Sequence, residues 1–415
     1  MKRVLLLLPV ASYRNEDFLA AARRLKVEVI PVADYCPRLA PRWGLAPLFA
    51  VPFDRPQVAV EIVLAHLRQQ IDAVLAVDDH GVELAALLRE RLGLAGNPPA
   101  AVATLRDKLA FRQLLAREGF NCPAFALLPE AVDPADWPAR PAFPVVVKAR
   151  RLSGSRAVVR ADDLRGFLAA VREARRIQKR ADREAKNLGL VVESFIPGRE
   201  FALEGLLTEG RLTVLALFDK PDPLDGPYFE ETIYVTPSRL PEALQAEIAH
   251  TVEVACRAAG VATGPVHAEM RVNDAGVWLL EIAPRSIGGL CGRILRHCLG
   301  MSLEEVILRH ALGEELPQPV TTGGNGVMMI PIPRRGIYEG VTGLTQASAV
   351  PGITGIEIAV TPGTRLLPLP EGATYLGFIF ARAPTPKAAE EALREAHARL
   401  CFHIRPEVEI APAGR

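Results

Sequence analysis

Cysteine is sparse and scattered in this sequence. The six, Cys36, Cys122, Cys256, Cys291, Cys298 and Cys401, form no C-x-x-C pair and no cluster with histidine at zinc-ligand spacing. They read as reduced thiols of a cytoplasmic protein. Excess charge is missing too: 49 Lys and Arg balance 48 Asp and Glu for a net of +1, so overall charge does not favour a nucleic-acid partner. No apolar stretch reaches the roughly eighteen residues of a membrane span, and no membrane partner is expected. The opening MKRVLLLLPVAS mimics a signal peptide, but its apolar run is only about seven residues long and reads better as a first buried strand. That strand is not followed by G-x-G-x-x-G, which removes the fingerprint of a Rossmann dinucleotide site. There is no internal repeat or low-complexity tract. What remains, 49% apolar and 23% charged over 415 residues, suits a soluble globular enzyme of about two to four domains.

Strands and helices alternate at the start. Residues 2–9, 27–32 and 72–77 read as buried strands and 16–25 and 82–92 as helices, a rhythm that argues for a small parallel sheet covered on both faces. Asp78, Asp79 and His80 fall at the carboxyl end of a strand, where open α/β sheets bind ligands, although helix capping explains the acids equally well. One helix is expected over 104–118, with Lys108 near its start, where a cation is mildly unfavourable for the helix dipole. Residues 144–150 and 157–160 form a hairpin with the tip Leu152-Ser153-Gly154-Ser155-Arg156. Its hydroxyls and backbone N–H groups suit phosphate oxygens, with Lys148 and Arg156 supplying charge.

Asp162 is expected to cap a long helix reaching about Lys186. Its basic face, including Arg172, Arg176 and Arg183, is interleaved with Glu173, Asp182 and Glu184 and lacks aromatic platforms, which suits a solvated surface better than RNA or DNA. Strands follow at 190–196, 199–207 and 211–218, arranged antiparallel, then a helix over 242–259 ended by Gly260. A helix opened by Ser302 comes next. Short strands near 326–332, 353–360 and 375–383, a last helix over 387–400 and an edge strand complete an α/β region followed by α+β regions.

The stretch GPVHAEMRVNDAGVWLLEIAPRSIGGL carries the sharpest pattern. Two apolar runs flank Asp274-Ala275-Gly276, the signature of a three-residue hairpin loop with Asn273 facing Val277. That register sets Glu269 opposite Glu281, His267 opposite Ala283 and Arg271 opposite Leu279. The other face is then Val266, Ala268, Met270, Val272, Trp278, Leu280 and Ile282, all apolar, whereas a two-residue turn would put the glutamates on different faces. Facing carboxylates with Cβ atoms roughly 5 Å apart repel and call for a cation between them. A few anionic oxygens suit magnesium shared with a phosphate better than a calcium cage, although a solvated face that binds nothing explains the pair as well.

Taken together, four blocks in fixed order resemble the ATP-grasp superfamily: Asp107-Lys108-x3-Arg112, Val147-Lys148 with its Ser-Gly-Ser loop, Glu193-Ser-Phe-Ile-Pro-Gly-Arg-Glu200, and Glu269 to Arg285. The resemblance covers the whole chain. It implies an ATP-grasp fold: an N-terminal parallel α/β domain (1–120), a central lid subdomain (121–190), an antiparallel-sheet core with the metal site (191–315) and a C-terminal subdomain (316–415). It further implies that Lys108 and Lys148 contact ATP phosphates under the Ser153, Ser155 and Arg156 loop. Glu193, Ser194, Phe195 and Ile196 would form the hinge that meets adenine through backbone groups, and Glu200 would hold the ribose hydroxyls. Glu269 and Glu281 would bind Mg2+, or Mn2+ in its place, and Arg285 would steady charge near the reacting carboxylate.

The segment Asp219-Lys220-Pro221 through Glu231-Thr232, the run E-I-A-P-R-S-I-G-G and the tail Leu376-Gly-Phe-Ile-Phe-Ala381 are most similar to L-amino acid ligases and their carboxylate–amine ligase relatives. On that similarity the substrates are a carboxylate and an amine, both amino acids. Lys220 joins the nucleotide set, Glu231 pairs with an α-ammonium, and His267 orients substrate or takes the amine's proton, a structural role for His267 being an equal alternative. Homodimers are common among such relatives. Where many of them have Asn in E-x-N-P-R this chain has Ala283, which cannot ligate metal and leaves a second ion open. Where a glycine commonly follows the lid arginine it has Ala157, which stiffens the loop. Gly288-Gly289 leaves room for a larger substrate. Two other readings stay open: a nucleotide-biosynthesis or carboxylase-type member, and an ATP-binding regulatory module without turnover.

Overall fold

The computed structural model describes residues 1–34, 49–181, 188–316, 318–320, 323–372 and 374–407. Cys36 and residues 182–186 of the expected long helix lie outside them. The chain forms two compact units, one of Met1–Pro123, Ile196–Asp219 and Pro237–Thr322, the other of Ala124–Phe195, Lys220–Thr236 and Gly323–Arg415.

In the first unit the continuous apolar runs form a parallel sheet in the order Phe49–Ala50, Glu28–Ala33, Arg3–Leu8, Ala73–Ala76. Helices Asn15–Arg24, Pro56–His66 and Val82–Leu92 accompany it, and Leu5, Leu7, Val32, Val74 and Leu84 share its core. The helix expected over 104–118 is two. Pro98 and Pro99 open Pro99–Arg106, the chain breaks at extended Asp107, and Asp107 then accepts from the N–H groups of Leu109 and Ala110 to cap Lys108–Arg117. An aspartate that suits an N-cap outcompetes helix continuation there. Four antiparallel strands follow in the order Gly276–Ala283, Gly264–Asn273, Arg199–Thr208, Arg211–Asp219, backed by helix Glu242–Ala259, whose Ile248, Val252 and Cys256 meet Leu203, Val266 and Ala268.

In the second unit Phe125–Leu128, Leu190–Ser194, Val145–Ala149 and Val158–Ala161 lie in that order, antiparallel, against helix Leu164–Ala181. The cap of that helix is Asp163, whose Oδ1 accepts from Gly166 N at 2.7 Å; Asp162 pairs instead with Arg160. A further series runs Ile233–Thr236, Gly324–Ile330, Gly377–Ala383, Ile353–Ile358 and packs on helix Pro386–Ala398. Gly336–Thr342 and Arg365–Leu366, which the sequence pattern did not give, join the expected edge strand, Cys401–Arg405, in a small antiparallel sheet.

The two-glutamate hairpin forms with a different turn. Asn273 pairs with Gly276, Val272 with Val277, Arg271 with Trp278 and Met270 with Leu279, so the turn holds only Asp274 and Ala275. A bulge then skips Leu280 and restores Glu269 opposite Glu281 and His267 opposite Ala283. The outward end therefore has the slipped register and the inward end the expected one. Side-chain alternation flips across the bulge. Val277 and Leu279 enter the core in place of Trp278 and Leu280, which are half-buried. Leu279→Ala should therefore destabilise by about 2–5 kcal/mol in urea unfolding, and Leu280→Ala by less than half as much; the reverse ranking would mean that the bulge lies elsewhere.

Candidate active site

The motif Asp107-Lys108-x3-Arg112 acts as a unit on the Glu281 strand. Asp107 caps the helix, Lys108 begins it, and Nζ of Lys108 lies 3.7 Å from Oε2 of Glu281. Arg112, one turn on and 1% exposed, donates from Nη1 to Leu279 O at 2.9 Å and from Nη2 to Leu280 O at 3.1 Å. Those are the carbonyls at the bulge, where the ladder between the strands is interrupted. A planar two-pronged donor fits two successive carbonyls, and a buried carbonyl needs such a partner.

Beside Glu269 stands His267. Its Nε2 is 3.5 Å from Glu269 Oε1 and its Nδ1 is 3.3 Å from Oε2 of Glu204, which is fully buried and also accepts from Ile287 N at 2.8 Å. Burial disfavours a charged imidazole, yet the two carboxylates outweigh it and raise the His267 pKa. Burial raises that of Glu204 in turn. Arg285, its side chain 11% exposed, donates from Nη2 to Asp79 Oδ2 at 2.7 Å and from Nη1 to Ser286 O, while its Nε is buried with no acceptor among the described residues. Burial alone would push Asp79 up, but the guanidiniums of Arg285 and Arg106 hold its carboxyl well below the usual range, and Asp79 holds Arg285 firmly charged. The adjacent acids thus divide their roles: Asp78 caps, accepting from His80 N, and Asp79 grips the arginine. Arg14, 2% exposed, braces the same region through Val77 O, Ser286 and Glu304.

In the second unit, Nζ of Lys148 meets Oε2 of buried Glu193 at 2.7 Å, and Nζ of Lys220 meets Oε1 of Glu231 at 2.5 Å and lies 5.0 Å from the Tyr234 ring centre. Ser194 N and Phe195 N donate to Ala124 O and Pro144 O, and the Arg160 guanidinium covers the Phe195 ring. The Ser153–Arg156 tip is wound through left-handed backbone at Gly154 (φ 65°), Ser155 (φ 53°) and Ala157 (φ 54°). Only glycine adopts that region without strain, so Ala157 occupies a place suited to glycine. Its N–H is fixed to Pro370 O at 3.1 Å, and Arg156 makes a long 3.5 Å contact from Nε to Ser153 O.

The bulge brings Glu269 and Glu281 to one side, with side chains 22% and 31% exposed. Two carboxylates outside the core, flanked by an imidazole and an ammonium, are the hard oxygen donors that magnesium takes together with phosphate. Ala283, buried opposite His267, adds no donor. A Cβ at Gly288 would meet nothing within 4 Å among the described residues. The sequence reading did not find Glu204 or Arg14, and gave Arg112 and Arg271 no role. The available signal was a charged residue inside an apolar strand, as in Phe201-Ala-Leu-Glu204 and Glu269-Met-Arg271-Val.

An ATP-grasp domain is matched over residues 141–294 and an L-amino acid ligase C-terminal domain 2 over residues 328–405. The chain belongs to the ATP-grasp ligase family. Within it, the C-terminal match is to the domain of L-amino acid ligases, and the crystal structure of L-amino acid ligase from Bacillus licheniformis superposes with a TM-score of 0.80 at 25% identity, covering 98% of this chain and 99% of that one. Carnosine synthase 1 of Gallus gallus is 32% identical over 290 residues, 65% of this chain and 31% of that protein. Dapdiamide A synthase of Enterobacter agglomerans is 28% identical over 247 residues, 59% and 57% respectively. The chain thus spans less than two thirds of the length of these two relatives. Among the described residues no helix is long and apolar enough to cross a membrane.

The Asp79–Arg285 pair has a pH signature. A depressed folded pKa stabilises fully above the unfolded value of about 3.9 and loses that contribution as pH falls toward the folded one. Asp79→Asn strands a buried guanidinium, at a cost of about 3–5 kcal/mol. Its thermal midpoint should therefore lie below that of the native protein at pH 7, with the gap narrowing only below about pH 4. A gap constant down to pH 2 would contradict this.

Proposed function

We propose that the protein joins the carboxylate of one amino acid to the amine of another at the expense of ATP, through an acyl phosphate, with release of ADP and phosphate. The observation that carries this reading is the Glu269–Glu281 pair, brought to one side by the bulge, with Lys108 beside it and the Asp79-held guanidinium of Arg285 in the same unit. A substrate carboxylate oxygen attacks the γ-phosphorus as the bond to ADP breaks. The amine then attacks the acyl carbon, its proton is lost and phosphate leaves. Neither step needs a redox group.

The chain's task is charge management. Glu269 and Glu281 would hold magnesium, or manganese in its place, which supplies positive charge to the phosphate oxygens. Lys108, Lys148, Lys220 and the Ser153, Ser155 and Arg156 loop serve the phosphates, Glu193 to Ile196 and Glu200 the nucleoside. Arg285, whose Nε has no acceptor among the described residues, grips the carboxylate or the tetrahedral oxyanion. Glu231 meets an α-ammonium, and His267, oriented by Glu204, takes the proton of the attacking amine or positions it. The same reading divides the chain into an N-terminal domain (1–120), a lid (121–190), a core (191–315) and a C-terminal subdomain (316–415), and places a homodimer in the cytoplasm, a mass that light scattering would report.

Amino-acid pairs with Mg-ATP should give ADP and a condensed product by mass spectrometry, and neither amino acid alone should. Glu281→Ala should lower turnover by a factor on the order of 100 or more. Tight Mg-ATP binding without ADP release for any pair would leave a regulatory module; turnover with formate or bicarbonate alone would point to the nucleotide-biosynthesis or carboxylase branch.

A further inference from the structure

The segment entering the Arg199 strand is fastened to the Glu269 strand at three successive points. Ile196 O accepts from Nη1 of Arg271 at 2.7 Å, and Pro197 O accepts from Nδ2 of Asn273 at 2.8 Å. Gly198, at φ 127°, lies so close that a Cβ would meet Val272 O at 2.4 Å. Strand pairing then sets Arg199 opposite Val272 and Glu200 opposite Arg271, whose Nε donates to Glu200 Oε2 at 3.2 Å. Arg271 is 2% exposed and Glu200 8%. One buried guanidinium therefore fixes a main-chain carbonyl and a carboxylate at the same time, two positions along the strand from Glu269. Lysine, a point charge, cannot span both acceptors.

We infer that Arg271 is a positioning residue for the nucleoside: it locks the Glu200 carboxylate in the orientation that accepts from ribose hydroxyls and pins the Ile196 carbonyl at the edge of the base site. The inference rests on the proposed ATP reading of Glu200. It makes the ribose site preorganised in the free protein, so that a missing hydroxyl forfeits a hydrogen bond to a charged acceptor already held in place.

The test is calorimetric titration of the full chain with Mg-ATP, 2′-deoxy-ATP and 3′-deoxy-ATP, for the native protein, Arg271→Met, Arg271→Lys and Asn273→Ala. The native protein should prefer ATP to at least one deoxy nucleotide by about ten- to a hundredfold, the worth of a hydrogen bond to a charged group. Arg271→Met should bring that ratio towards one, and Arg271→Lys should restore part of it. Asn273→Ala, which frees Pro197 O together with the Ala275 N–H and the Trp278 indole but leaves Arg271 and Glu200 paired, should weaken binding of all three equally. A folded Arg271→Met with the native ratio overturns the inference. So does a native protein that binds ATP without preference, a result that needs no variant to fold. A native protein that binds none of the three overturns the ATP reading itself.

Discussion

A strand that gains a residue against its partner releases backbone groups that the ladder no longer satisfies, and it holds its shape only if something else takes them. Here the buried guanidinium of Arg112 takes Leu279 O and Leu280 O. With that prop the hairpin sustains two registers, one that sends Val277 and Leu279 into the core and one that turns Glu281 to the same side as Glu269. The carboxylate pair, the pairing of His267 with Ala283 and the approach of Lys108 all depend on it.

Arginine recurs as the brace of the first unit, and in each case it reaches a main-chain carbonyl: Arg14 at Val77, Arg112 at Leu279 and Leu280, Arg271 at Ile196. Carbonyl acceptors fix the backbone itself, which an ion pair between two mobile side chains does not. The ionisable groups form a second pattern. Lys108, Lys148, Lys220 and Arg285 each lie against a carboxylate: Glu281, Glu193, Glu231 and Asp79. Within each unit the carboxylate balances cationic charge that would otherwise be stranded at low dielectric.

Much of this was legible in the residues. Continuous apolar runs gave the parallel strands, and Gly260 at φ 81° ends its helix where the sequence places it. The facing glutamates were found because their register at the inner end is the one that alternation predicts. The turn was not, because Asp274-Ala275-Gly276 fits a two-residue and a three-residue loop alike, and a bulge leaves no mark in a pattern where Trp278, Leu279 and Leu280 are all apolar. Capping misled by one residue at Asp162, since Asp163 beside it has the same chemistry. Glu204 and Arg271 escaped because their partners are distant in sequence and only strand pairing brings them together.

The bulge also separates the length of the turn from the geometry of the glutamates. Because Leu280 absorbs the difference between the two registers, the tip of the hairpin and its inner end are set independently, each by its own contacts: Asn121 and Asn273 hold the tip, Arg112 the bulge. For protein engineering, Asp274–Ala275 is therefore an insertion point where a peptide tag or a reporter loop is mechanically insulated from the carboxylates a few residues away.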